Sequence, residues 1–442
     1  MVLSASCFQP GSRIAQPFAL LILLALAAAP AALAASAFTA QSRLGYHTGD
    51  QWEPATAADA RGHVYVLYPQ YGPVPDCPAC KAPSMVLLVS NDNGISWQPS
   101  RVMLPFPTGQ FDPQIVVDPS DRQTVYASWL ENNKRDIIVA RSLDFGRTWT
   151  FAVAEQGQEE ADKPVLAVRG ADVYVGFNRE EEFFIAASHD FGQTFSRVSV
   201  NPNAEAGWSL AGGATVDPSG NVYFGWTAYA RRELPTRPVS VNVSRSADGG
   251  RTWNTVLLDV SSAPPDCEEE SCGTGFLGAQ IALASDAAGA IYSLWNAGSA
   301  GGGPERIYFS SSTAAGVTWT ARASVSTAGT GVEHCFPAIV AGAAGDVRIA
   351  WMDARAAETG HPKRHLWNTF YRSSTNGGAT WSAETRLSGP ARGYDYILDE
   401  GFRFPFGDYF GLAIDSDGAT HAVWGEGRDY KSPGSIWYAR GR

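Results

Sequence analysis

Three short groups in this chain place a carboxylate and a proline at the head of an apolar run. They are Glu53-Pro54 in "WEPATAADA", Asp112-Pro113 in "FDPQIVVDP" and Asp162-Lys163-Pro164 in "DKPVLAV". Corresponding openings later in the chain carry Trp208, His334 in "EHCFP", and Asp408 with Tyr409 in "FPFGDYFGLA". A carboxyl or imidazole held at such a place can give or take a proton, and a tyrosine can act as nucleophile or base. Asp162 or Asp112 is expected as acid/base and Tyr409 as nucleophile or base, with Asp408 and His334 as further catalytic candidates. Arg355 and Arg428 are expected to clamp an anion, because a guanidinium fork matches a planar carboxylate. Glu53, Arg179, Asp353 and Trp208 complete the expected binding set.

Such residues act together only if the fold brings their segments to one place, and the chain carries a repeat that does so. "SLDFGRTW" ends at Trp149, and close copies are "SNDNGISW", "SHDFGQTF" and "SADGGRTW", ending at Trp97, Phe195 and Trp253. Two altered copies, "STAAGVTW" and "STNGGATW", carry Ala314 and Asn376 where the others carry Asp. In this turn Gly146 permits a backbone closed to other residues, Asp144 can accept nearby backbone N–H groups, and Trp149 can bury its ring. The turn is therefore read as scaffold. Ahead of each turn runs a strand ending in an aromatic or similar residue: "HVYVLY", "TVYASW", "DVYVGF", "NVYFGW", "AIYSLW", "DVRIAW" and "THAVW". Seven four-stranded units, none able to cover its own faces, predict an all-β seven-bladed propeller, with six blades as the alternative. The last unit stops at "GSIWYARGR", one strand short. The segment "FTAQSRLGYHTGDQWEP" has the layout of "WQPSRVMLPFPTGQFDP" and is expected to supply that strand and close the ring.

The six S-x-D-x-G-x-T-W turns resemble the Asp-box (BNR) repeats of the sialidase superfamily. That resemblance implies a propeller acting on acidic glycans. The activity it implies is hydrolysis of the exo-α-sialidase type, or elimination by a lyase. Its mechanism uses an arginine triad on the substrate carboxylate, a Tyr nucleophile activated by a Glu, and an Asp acid/base. An Arg-Ile-Pro motif typical of sialidases has no counterpart here, where the place reads "QWEPATA".

In a propeller, the segments opening each first strand and the loops leaving each second strand meet at one mouth of the central channel. The loops would add Asn132, Lys134 and Arg135; Asn178 and Glu180 beside Arg179; Tyr229, Arg231 and Arg232; and Asp429 beside Arg428. The longest loop adds His361, Lys363, Arg364 and His365. A bland reading stands beside this one: an acid before Pro can satisfy backbone groups, and an Arg after a Trp strand can pair with a neighbouring blade. Three functions are compatible with the sequence: a carbohydrate-active enzyme, a propeller that binds a glycan or protein without cleaving it, and an assembly factor of the cell envelope.

A formal net charge of −11 argues against a nucleic-acid partner, which requires a concentrated basic surface. Arg13 is the one charge in the first 40 residues, and "FALLILLALAAAPAALA" follows it, ending in Ala32-Leu33-Ala34. This pattern predicts a signal peptide over residues 1–34, a single propeller domain over 35–442, and a secreted or periplasmic protein without a membrane span after cleavage. In an oxidising compartment Cys77 with Cys80 and Cys267 with Cys272 are expected as local disulfides, leaving Cys335 free. No cofactor and no metal are expected; "EEEF" and "CEEES" lack the spacing of a calcium loop.

Overall fold

The computed structural model describes residues 37–46, 48–75, 77–104, 109–179, 182–201, 208–229, 238–262, 279–298, 304–358, 361–389, 391–392, 409–426 and 434–442. Within them lie seven antiparallel sheets and no helix. Each sheet is one blade, and chain order runs outward from the axis. Blade 2 shows the plan: Phe111–Val117 innermost, then Val125–Glu131, Asp136–Ser142 and Thr150–Gln156. The innermost strands of the other blades are Ala55–Ala58, Asp162–Arg169, Trp208–Val216, Ile281–Ser285, His334–Ala341 and Gly411–Ile414, in blades 1, 3, 4, 5, 6 and 7. Each touches its counterpart in the next blade, and the seventh touches the first, so the ring is closed.

The physical reason is visible in burial. Second strands such as Val125–Glu131 and Val64–Tyr71 are buried along nearly their whole length, because both of their faces lie against a neighbouring blade. Seven apolar clusters fill the seven seams, and each draws residues from two adjacent blades. Outermost strands such as Thr150–Gln156 face solvent and keep exposed residues.

Closure occurs as the sequence suggested. Ser42–Leu44 pairs antiparallel with Ser435–Gly441, placing Arg43 opposite Trp437, so blade 7 takes its outermost strand from the other end of the chain. Leu44 enters the cluster between blades 7 and 1 with Val66, Tyr68, Ile436 and Tyr438. Gly94, in the first Asp-box turn, faces Tyr438 across this seam. Its φ is +77° and a Cβ there would lie 2.0 Å from the Tyr438 hydroxyl, so only glycine fits.

The Asp-box turns join the third and fourth strands of the blades, at the end opposite the mouth. In the second box, Asp144 Oδ1 accepts the Ser142 hydroxyl at 2.9 Å and the Thr148 N–H at 2.8 Å, while Oδ2 accepts the Thr148 hydroxyl at 2.7 Å. The Thr148 N–H is the main reason the Asp144 carboxyl is held to about 2, with both hydroxyls adding to the effect against partial desolvation. Asn376 serves the same turn as an amide, accepting the Thr380 N–H at 2.9 Å and donating to the Thr380 hydroxyl at 2.8 Å. These contacts are all internal to the turn, in keeping with a scaffold role. Cys77 and Cys80 form a disulfide and Cys335 is free and buried. Cys267 and Cys272 lie outside the described residues. No helix among the described residues is long and apolar enough to cross a membrane.

Candidate functional site

The acid–proline groups open the inner strands, but with a twist in the backbone that the sequence did not announce. In blades 2, 3 and 6 the first two strands slip register, two residues facing one, at Phe111 to Gln114, Asp162 to Val165 and Cys335 to Ala338. The residue before each proline takes a left-handed conformation: φ is 52° at Asp112, 48° at Lys163 and 53° at Phe336, and Glu53 in blade 1 joins them at 54°. Each such residue costs about 1–3 kcal/mol and persists only where its surroundings enforce it. Here the proline fixes the next φ and removes an N–H that the bulge would leave without a ladder partner.

These bulges bring three charged side chains together. Lys163 Nζ lies 3.9 Å from Glu53 Oε1 and 3.8 Å from Asp112 Oδ1, and 4.8 Å above the centre of the Tyr409 ring. A cation over an aromatic face is attracted by the ring's quadrupole. Glu53 and Asp112 are almost fully buried at 1% and 4% exposure, so both carboxylates depend on their partners rather than on water. Next to them Lys134 Nζ lies 3.5 Å from Asp162 Oδ1 and 5.4 Å from the Phe111 ring centre. Burial pushes the Lys134 ammonium down, but the Asp162 and Asp112 carboxylates outweigh it and hold its pKa above the ordinary lysine value. Trp52 and Tyr71 stand behind, with ring centres 5.1 Å apart.

Beneath this cluster a cavity of about 210 Å³ runs along the axis, with Asp112, Lys163 and Tyr409 in its wall beside Pro54, Pro164, Gln280 and Pro337. Apolar side chains from the following inner-strand positions, among them Ile115, Leu166, Leu283 and Ile339, line the rest. The arrangement offers carboxylates, ammonium groups and a phenol around one opening: groups that can move a proton and hold a charged substituent.

The expected residues therefore divide. Glu53, Asp112, Asp162 and Tyr409 come together with Lys163 and Lys134. His334, Asp353 and Arg355 form a separate group on blade 6. His334 is fully enclosed: its Nδ1–H faces the Val332 and Glu305 carbonyls at 2.8 and 3.0 Å, and Nε2 lies 2.8 Å from the Ser326 hydroxyl. Burial pulls the His334 pKa below the usual value, against the pull of Asp353. Arg355 is committed to Asp353 at 2.8 and 2.5 Å and to Glu384 at 2.7 Å. Arg179 bonds the carbonyls of Glu159 and Arg135 and reaches Glu155 at 3.4 Å, bracing the edge of blade 2. Trp208 packs on Tyr229 with ring centres 5.5 Å apart. Asp408, Arg428, Asp429, Glu180, Arg231 and Arg232 lie outside the described residues.

Residues that sequence reasoning did not nominate include Glu305 and Glu333, which lie together at the seam of blades 5 and 6. Glu305 is fully buried, its carboxyl accepting from Asn296, and its N–H donates to Glu333 Oε1 at 2.9 Å. No motif marks either residue. Lys163 did carry a signal, as the only one of the pre-proline residues at these openings with a positive charge.

No family model and no curated protein matches this chain. Solved structures of similar fold include a Hadza microbial sialidase, with a TM-score of 0.46 and 15% identity over 89% of this chain and 66% of that one. A polysaccharide lyase described as an ulvan lyase gives 0.46 and 13% over 89% and 95%. A sialidase of Trypanosoma rangeli gives 0.47 and 13% over 90% and 59%, so this chain spans well under two thirds of that protein's length. At these identities the likeness concerns fold alone.

Proposed function

We propose that this protein is an exported, carbohydrate-active propeller that takes an acidic glycan at the mouth of its channel and cleaves it, by hydrolysis or by elimination. The observation that supports this reading is Lys163 held between Glu53 and Asp112 with its ammonium over Tyr409, on strained backbone, above a cavity. Packing alone would favour apolar residues at such buried positions, since removing ions from water is costly. In this reading Asp112 and Tyr409 exchange protons with the reacting sugar, Glu53 and Lys163 set their charge, and Lys134 with Asp162 borders the bound substituent. Export follows from the apolar N-terminal pattern.

One observation favours a second reading, a propeller that binds the glycan without cleaving it: Glu53 and Asp112 are both already engaged by Lys163. A single experiment separates the two. The purified protein is incubated with oligouronates and sialosides while new reducing ends and new carbon–carbon double bonds are followed. Reducing ends alone indicate hydrolysis, and both together indicate elimination. Binding without either product supports the second reading, and neither binding nor product defeats both.

A further inference from the structure

Lys134 sits in a short, strained loop of the mouth. Between Val125–Glu131 and Asp136–Ser142, three consecutive residues have left-handed backbones: φ is 54° at Asn132, 52° at Asn133 and 68° at Lys134. Asparagine tolerates this region because its short amide can bond locally; lysine has no such compensation. The loop is clasped on both sides. The Asn133 N–H donates to the Gly109 carbonyl at 3.3 Å, and the Lys134 carbonyl accepts the Ala161 N–H at 2.7 Å. Ala161 immediately precedes Asp162 and Lys163, so the segment that anchors the Lys134 backbone also carries the carboxylate facing its ammonium.

The two mouth lysines are not equivalent. Lys163 lies between two carboxylates with a ring beneath it and is 11% exposed. Lys134 is 26% exposed; among the described residues its ammonium pairs directly with Asp162 and lies over the Phe111 ring, with Asp112 farther off. An ammonium carries three donors, so Lys134 keeps capacity for a further acceptor. Arg355 and Arg179, the arginines at the rim whose contacts are described, are taken up by Asp353 and Glu384 in one case and by Glu155 and two carbonyls in the other.

From this we infer that Lys134 is the specificity-determining cation of the mouth, receiving the anionic substituent, carboxylate or sulfate, of the glycan. The inference rests on the acidic-glycan reading and deepens it: recognition of charge falls to one strained, pre-positioned lysine rather than to an arginine fork. Because the ammonium is held by the loop before the ligand arrives, little side-chain entropy is lost on binding.

The test is calorimetric titration of the whole protein with trigalacturonate, its methyl ester and a sulfated neutral trisaccharide. Wild type should bind at least one charged probe more tightly than the ester by about 10- to 100-fold, the worth of a charge-assisted hydrogen bond. Which charged probe wins distinguishes carboxylate from sulfate. Lys134→Met, which keeps the apolar stem, should lose that margin, read as the ratio of charged-probe to ester affinity within the same variant, and Lys134→Arg should retain most of it. Lys134→Met with the wild-type margin overturns the role of Lys134 and leaves acidic-glycan recognition standing. A wild-type protein that ignores charge, or binds none of the probes, overturns both.

Discussion

Lys163 and Asp112 are joined twice: the ammonium lies 3.8 Å from Oδ1, and the Lys163 backbone N–H donates to Oδ2 at 3.4 Å. Blade 3 thus fixes a carboxylate of blade 2 through both the side chain and the main chain of Lys163. Asp112→Asn keeps the size and one acceptor but removes the base. Turnover of a cleaved glycan should fall about 10²- to 10⁴-fold, the usual worth of general acid–base catalysis, with melting temperature little changed. Lys163→Met should act differently, leaving Glu53 and Asp112 as neighbouring carboxylates without their cation. Its stability should be lower at pH 8 than at pH 5, since two such groups resist ionising together. Turnover by Asp112→Asn at the wild-type rate would remove Asp112 from the chemistry.

Glu305 predicts a pH effect of opposite sense to the common one. Burial pushes its pKa well up, the Glu333 carboxyl adds to this, and the bonds from Asn296 and Ser261 only partly oppose it. The unfolded chain ionises Glu305 near the ordinary value while the folded protein keeps the proton, so stability declines as pH rises between the two. Glu305→Gln retains an acceptor for Asn296 and cannot ionise. Relative to wild type it should gain melting temperature between pH 5 and pH 8. Parallel curves for the two proteins would refute the buried neutral acid. Part of the slope left in the variant belongs to Glu333, whose carboxyl burial also pushes upward.

The altered box of blade 5 offers a gain rather than a loss. Ser312 still accepts the Gly316 N–H at 2.9 Å, and Trp319 Nε1 still donates to the Gly316 carbonyl at 3.0 Å, but Ala314 supplies no carboxylate to Thr318. Ala314→Asp should restore the bonds that Asp144 makes in blade 2 and raise the melting temperature by about 1–2 °C, scaled to a chain of this size. The gain should vanish near pH 2, where such carboxyls protonate. Scanning calorimetry showing no rise at neutral pH would mean that the turn no longer needs its acid.

What the sequence disclosed, and what it withheld, follows one physical line. Interactions local in sequence were legible: the Ser142–Asp144–Thr148 turn, the Cys77–Cys80 bridge, and the alternation that makes each second strand. Closure by Ser42–Leu44 was legible as well, because the chain end lacked a strand whose pattern reappears at the other terminus. The left-handed bulges were not, since Glu53-Pro54 and Asp112-Pro113 read equally well as plain strand openings. Grouping at the rim was also hidden. Arg355, late in a second strand, and Asp112, at the start of a first, both stand at the mouth end of their blades, yet Arg355 turns to Asp353 two residues away while Asp112 pairs with Lys163 of the next blade. That choice depends on long side chains packing between segments distant in sequence.

The closing blade carries a histidine where most second strands carry Tyr, and its ring is bonded on both sides. His421 Nε2 lies 3.0 Å from Asp415 Oδ2, which accepts, so in the neutral ring Nδ1 must accept the Tyr438 hydroxyl at 2.8 Å. The same hydroxyl lies 3.2 Å from the Gly94 carbonyl of blade 1, to which it can donate only if His421 is protonated and Nδ1 donates instead. Burial pulls the His421 pKa below its ordinary value; Asp415 opposes this, while Arg440 and Arg348 reinforce it. The folded pKa therefore lies below the unfolded one, and the stability contributed by neutral His421 is present above about pH 7 and declines as pH falls through the unfolded value. His421→Gln can bond Asp415 and Tyr438 without titrating, so between pH 7.5 and pH 5, a window reaching about one unit or more to either side of the ordinary histidine value, its melting temperature should fall less than that of wild type. The enclosed His334 titrates in both proteins and cancels from the comparison. Identical slopes would show that the ring closes without any contribution from this histidine's charge.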